Sequence, residues 1–173
     1  MRVRYVSCNG DMFAAVDMEG TLFTWGDGSL NGHDDEWDFK ESPMVVAALV
    51  GQQVTMVSCG NEHAAAVTAR GQLWTWGNGD YGKLGSFDPH VHRYVPKRVN
   101  RSGLANSQLP TDSVDAEYYE GLPGGEAALA RGVSCGNWHT VVAMASGKVC
   151  TFGHDEGAPG VVAALPSLDE DAD

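Results

Sequence analysis

The apolar positions of this chain come in runs of five to eight residues, most of them followed closely by a glycine. Val54–Gly60, "VTMVSCG", is β-branched and ends at a Gly. His63–Ala69, "HAAAVTA", and Gln72–Gly77, "QLWTWG", flank Arg70-Gly71, where glycine is free to take the positive φ of a hairpin turn. Two strands and a tight turn are predicted. In the second run Leu73 lies on one face and Trp74 and Trp76 on the other, so both faces carry bulk. A half-exposed sheet would alternate apolar and polar positions; this one is expected to be covered on both sides. The run Ala64-Ala65-Ala66 suits a crowded place near a central axis. "PMVVAALV", opening at Pro43, and "YVPKRV", with Pro96, predict a further strand in each unit, with proline placed near the strand start. About four short antiparallel strands then occupy each unit of roughly 50 residues, the size of one propeller blade.

The unit occurs three times. Residues 6–35, 57–85 and 133–160 align without a gap over the core. Cys8, Cys59 and Cys135 coincide, as do Gly20, Gly71 and Gly147, and Thr24, Thr75 and Thr151. Trp25, Trp76 and Phe152 coincide next, each followed by Gly. His63 and His139 share an offset at which the first copy has Met12. The first two copies start 51 residues apart and the next two 76, so the longer interval holds an insertion of 25. Most of it falls in residues 100–130, an acidic stretch with Gly, Pro and Ser that is expected to be a loop.

The pattern V-S-C-G-x-x-H-x-x-A-V-T-x-x-G-x-L-W-T-W-G-x-G-x-x-G-x-L-G resembles the repeat of the regulator of chromosome condensation family. Residues 57–85 match it almost throughout. The first copy has Asn9-Gly10 for Gly60-Asn61, and the third has Cys150 and Phe152 for the two Trp. The resemblance implies a β-propeller, in that family usually seven-bladed. The expected fold is therefore all-β: a partial propeller of about three four-stranded antiparallel blades with one long inserted loop, read as a single unit over residues 1–173 with an acidic tail at 168–173. Three blades cannot close such a ring. The expectation is a piece of a larger propeller or an arc held in a larger assembly, its ends covered by missing blades or other chains, with self-closure by further copies ranked behind both.

Hydrophobic residues form 43% of the chain, enough for a packed core. The longest plainly apolar run, Met44–Val50, is too short to span a bilayer, and the first ten residues show no secretory h-region. Three of the four Cys sit at one repeat position, which small apolar packing explains without disulfides. An intracellular setting is expected, cytoplasmic or nuclear, with an organelle left open. The net charge of −12 opposes nucleic-acid binding and suits a basic protein partner. Arg93, Lys97, Arg98 and Arg101 are read as a solvated edge.

Residues borne by the repeat are assigned to packing: Cys8, Cys59, Cys135, His63, His139, Trp25, Trp76 and Phe152. His90 and His92, two apart, would share one face of a strand but lack further ligands for zinc. No phosphate loop, nucleophile elbow or HExxH motif occurs. No catalytic residue, metal or cofactor is expected. Asn137-Trp138-His139-Thr140 is similar to the Trp-rich motifs of ultraviolet-sensing members of the family. There the Trp directly follows Cys-Gly, whereas Asn137 intervenes here and Asp11 and Glu62 stand at the Trp position in the other copies. Candidate partner-binding residues are Tyr118 and Tyr119 in the insertion and Asp34, Asp35 and Trp37 after the first core. The expected function is a non-catalytic protein-interaction scaffold. The alternative is part of a guanine-nucleotide exchange factor for a small GTPase, a partner the resemblance implies; the insertion shows no residue-level match to an exchange wedge.

Overall fold

The computed structural model describes residues 2–27, 30–33, 39–86, 90–99, 129–153 and 161–162. They form three four-stranded antiparallel meanders. The first holds β1 (Val3–Asn9), β2 (Met12–Asp17), β3 (Leu22–Gly26) and β4 (Lys40–Val45). The second holds β5 (Val54–Cys59), β6 (His63–Thr68), β7 (Leu73–Gly77) and β8 (Arg93–Arg98). The third holds β9 (Ala130–Cys135), β10 (His139–Met144), β11 (Val149–Gly153) and β12 (Val161–Val162). Each sheet is one blade of a partial β-propeller. The repeat offsets translate into strand register: Cys8 pairs with Phe13, Cys59 with Ala64 and Cys135 with Thr140.

The first strands lie beside one another, β5 packing on both β1 and β9. The apolar core fills the two gaps between blades. Met12, Ala14 and Val16 of β2 meet Ala64, Ala66 and Trp76, while Ala65, Val67 and Leu73 meet Val133, Val142 and Phe152. β6 therefore buries all six of its residues. The alanine run is crowded because a blade presses on each side of it, and it belongs to the second strand of its sheet.

Backbone and side-chain bonds stitch the blades at repeated positions. Cys59 N–H donates to Ser7 Oγ (3.0 Å) and Cys135 N–H to Ser58 Oγ (2.9 Å). Val54 N–H donates to Gly20 O and Ala130 N–H to Gly71 O, both at 2.9 Å.

Four expectations are corrected. Pro43 and Pro96 fall inside β4 and β8, not at their starts. Both strands are outermost in their sheets, and the register against β3 and β7 breaks beside each proline, so the missing N–H leaves no ladder bond unmade. After β4 the apolar run turns into a short 3-10 segment, Ala47–Leu49, that buries Leu49. The three cysteines have equal register but unequal burial: Cys59 is buried, Cys135 half-buried and Cys8 exposed. The face of β1 carrying Cys8 and Val6 (68% exposed) has no blade against it among the described residues. His90 and His92 precede β8 and share no strand.

Candidate partner-binding rim

At one end of the sheets, the turn between first and second strands meets the glycine that ends the third. Gly26, Gly77 and Gly153 all take φ above +100°, and a Cβ there would strike the carbonyl of Asp11, Glu62 or Trp138. The next residue then donates back to the same turn: Asp27 N–H to Asp11 O (3.0 Å) and Asn78 N–H to Glu62 O (2.7 Å). Asp11, Glu62 and Trp138 are thereby placed in a row, one per blade. Threonines one turn inward hold the outer loops. Thr24 Oγ donates to Asn31 O, and Thr75 Oγ donates to Leu84 O at 2.8 Å.

Between the first two blades this rim opens into a cavity of about 340 Å³ lined by Asp11, Asp27, Asn61, Glu62 and Asn78. Asp80, in the segment after β7, has its carboxyl held below the usual carboxylate range by Asn78 and, less strongly, by His90. Between the second and third blades the rim becomes aromatic. Tyr81 (50% exposed) meets Trp138 (41% exposed) edge-on, with ring centroids 5.6 Å apart at 85°. Lys83 lies beneath them, fully buried. Its ammonium is 3.2 Å from Glu62 Oε2 and 5.3 Å from the Trp138 ring centre. One buried cation thus ties the acidic half of the rim to the aromatic half.

Below Lys83, Thr140 Oγ donates to the Lys83 carbonyl (2.7 Å) and lies 2.8 Å from His63 Nε2. Because that hydroxyl proton is committed, His63 donates through Nε2 and Nδ1 carries no proton. Burial, helped by the charge of Lys83, lowers the His63 pKa to about 4. Burial likewise pushes the Cys59 thiol up to about 11 and the Cys135 thiol up to about 12. His63, Cys59 and Cys135 are occupied in blade-to-blade contacts, and burial keeps the two thiols protonated at pH 7. What the rim offers is carboxylate and exposed aromatic surface.

The other repeat positions behave according to their neighbours. Trp76 is fully buried, and its Nε1–H donates to Leu30 O in the first blade (2.8 Å). Phe152 is buried in the corresponding place. Trp25, with no blade on its side among the described residues, is half-buried and stacks on Phe13 at 5.6 Å. His139 is half-buried on the outward face of β10. Asp34, Asp35, Trp37, Tyr118, Tyr119 and residues 168–173 lie outside the described residues. His92 Nδ1 accepts from Gly79 N–H at 3.4 Å and His90 lies 3.6 Å from Asp80; among the described residues no three His, Cys, Asp or Glu side chains gather as metal ligands. Nor, among those residues, is any helix long and apolar enough to cross a membrane. Sequence reasoning passed over Tyr81 and Lys83 and named Glu62 only as a departure from the Trp motif. The departure of Asp11, Glu62 and Trp138 from one another at a single repeat offset was the available signal.

Packed four-stranded meander blades define a β-propeller repeat protein. Residues 19–67 and 70–112 match the Regulator of chromosome condensation (RCC1) repeat, and residues 54–83 match a second form of it; the chain belongs to this family. It is 33% identical over 155 residues to the Ultraviolet-B receptor UVR8 of Arabidopsis thaliana, 88% of this chain and 30% of the receptor. It is 46% identical over 87 residues to the E3 ubiquitin-protein ligase HERC2 of Homo sapiens, 48% of this chain and 2% of the ligase. The chain thus spans less than a third of either relative. Human WBSCR16 shares its fold with a TM-score of 0.68 at 24% identity, over 94% of this chain and 36% of that one. Prp20p of Saccharomyces cerevisiae, a structure reported with its binding to Gsp1p and histones, does so at 0.67 and 15%, over 96% and 37%.

Proposed function

We propose that the chain is a non-catalytic protein-interaction module that holds a basic protein partner on the rim of its blades. The observation that supports this most is the Tyr81–Trp138 pair, exposed on a buried lysine and continuous through Glu62 with the acidic cavity. Large aromatic side chains with polar tips dominate the energetics of protein interfaces, and carboxylates around them select a cationic partner and speed its approach. Asp34, Asp35 and Trp37, which the sequence places between β3 and β4, would extend this rim. Tyr118 and Tyr119 of the insertion would form a second anchor. Outward apolar residues at the two ends of the arc, Val6 and Val141 among them, would be covered by further blades or by other chains, as exposed sheet faces of this kind require.

Histones, named for Prp20p, serve as a basic probe. Saturable binding to the intact chain is expected, weakened about tenfold or more by Tyr81→Ala with Trp138→Ala. Binding indifferent to both changes, in variants that remain folded, refutes the rim. Deleting residues 103–125 tests the insertion separately. Acceleration of nucleotide release from a small GTPase by the parent polypeptide would favour the exchange-factor reading instead.

A further inference from the structure

The opposite end of the sheets carries the opposite charge. There the hairpins that follow the second strands meet the starts of the first strands. Each first strand breaks its register at one repeat position: between Val3 and Tyr5, between Val54 and Met56, and between Ala130 and Gly132 across from Met144 and Ala143. The residues left out of register are Arg4, Thr55 and Arg131. A bulge of this kind re-aims the side chain it releases, and packing requires no arginine at this position, since Thr55 fills it in the middle blade. Arg4 reaches across to donate to the Thr55 carbonyl (3.4 Å).

Between the second and third blades a cleft of about 340 Å³ opens here, lined by Thr55, Thr68, Arg70, Gly71, Ala130 and Arg131. Among the described residues no carboxylate lines it. Neither Arg70 nor Arg131 has an ion-pair or hydrogen-bond partner among the described residues. At this end of the sheets the first-blade hairpin carries Asp17 and Glu19, and Asp17 accepts from the N–H groups of Glu19 and Thr21 (3.1 and 2.8 Å). The charge balance of the blades also differs from that of the chain. Of 23 Asp and Glu only seven fall in the described segments, against ten of the 11 Lys and Arg. The described segments thus carry a small net positive charge.

We infer that this cleft binds an acidic peptide segment, with Arg70 and Arg131 as its carboxylate anchors and Arg4 at its edge. The planar guanidinium presents paired donors that match a carboxylate in bidentate fashion. A cleft of this volume takes one or two acidic side chains. A polynucleotide would need a track of cations along its backbone, and the cleft offers a single cluster. The inference deepens the interaction-module reading and rests on it: carboxylates at one end and guanidiniums at the other fit two partners of opposite charge.

The test uses the full chain and a fluorescently labelled hexaglutamate peptide, read by anisotropy at low salt. Saturable binding is expected, weakened about tenfold or more by Arg70→Gln with Arg131→Gln, and unchanged by Lys97→Gln with Arg98→Gln, which removes equal charge from the outer strand β8. Arg131→Lys keeps the charge and loses the fork, and is expected to bind more weakly than the parent. Circular dichroism reports whether each variant is folded. Absence of saturable binding, equal loss in the β8 pair, full retention in Arg131→Lys, or displacement of the peptide by a lower concentration of a single-stranded oligonucleotide would each overturn the assignment. Trp138→Ala separates the two ends: it is expected to leave peptide binding intact even where it abolishes capture at the rim, and loss of peptide binding there would move the site away from this cleft.

Discussion

His63 Nε2 of the second blade lies 2.8 Å from Thr140 Oγ of the third, and that hydroxyl in turn donates to the Lys83 carbonyl. The chain of donors fixes the His63 tautomer, and burial, helped by the Lys83 charge, disfavours an imidazolium there. The folded-state pKa, about 4, lies below the ordinary 6.5. Between these values the unfolded chain takes up a proton that the folded chain refuses. Stability is therefore expected to be unaffected by this site above pH 6.5, to fall as the pH drops towards 4, and to level off below, by up to about 3 kcal/mol. His63→Gln keeps a donor and removes the titration, so urea denaturation across pH 4–7 should show a shallower slope in the variant. An unchanged slope would place the titration elsewhere. Thr140→Val strands both the His63 donor and the Lys83 carbonyl and is expected to cost about 1–3 kcal/mol at pH 7.

The cysteines give a second prediction. Cys8 is exposed on the outward face of β1. Cys59, Cys135 and Cys150 are all pushed up by burial, and the thiolate is the reactive form. In native protein at pH 8, one thiol should react with a disulfide reagent at once, and the other three only on the timescale of unfolding. Peptide mapping of the first adduct should find Cys8. Rapid labelling of Cys59 would mean that the first two blades part readily.

Tyr81 occupies the left-handed region at φ 64°, unusual for a side chain of its size. Its ring is held by the edge contact to Trp138. Tyr81→Gly relieves the backbone, worth about 1 kcal/mol, and loses a ring contact of similar size. Unfolding free energy is thus expected to stay within about 1 kcal/mol of the parent while histone capture weakens. Joint loss of stability and binding would show that Tyr81 is placed for the fold.

The fold was legible because each blade repeats its own local rules. The offset from Cys59 to Gly71 to Trp76 sets two strand lengths and a hairpin, and the same count recurs around Cys8 and Cys135. What was not legible depends on neighbours. Cys8 and Cys59 are the same residue in the same register, and only the preceding blade buries one of them. Proline placement needed the knowledge that β4 and β8 are outermost. The Glu62–Lys83–Trp138 group joins residues up to 76 positions apart, so no window along the chain reveals it. The bulges that release Arg4 and Arg131 appear only when first and second strands are paired.

The hairpin glycines offer a measure of how much one blade leans on the next. Gly20, Gly71 and Gly147 share a repeat position and a φ between +71° and +83°, so alanine carries a similar backbone penalty at each, about 1 kcal/mol. Their surroundings differ. A Cβ on Gly20 would lie 2.9 Å from Gln53 Cα, and one on Gly71 would lie 2.6 Å from Leu129 Cβ; one on Gly147 meets nothing within 4 Å. In the first two blades the added carbon must push the following blade away from the carbonyl that Val54 or Ala130 bonds. Gly147→Ala should therefore cost only the backbone penalty, and Gly20→Ala and Gly71→Ala a further 1–3 kcal/mol each. Chemical denaturation of the three variants gives the comparison directly. Equal losses at all three positions in this chain would mean that the φ penalty dominates and the blade contact is soft. Repeating Gly147→Ala in a longer parent, or in the presence of a bound partner, then reports what covers the third blade: a cost risen to that of Gly71→Ala would show a surface pressed on this turn as the third blade presses on the second.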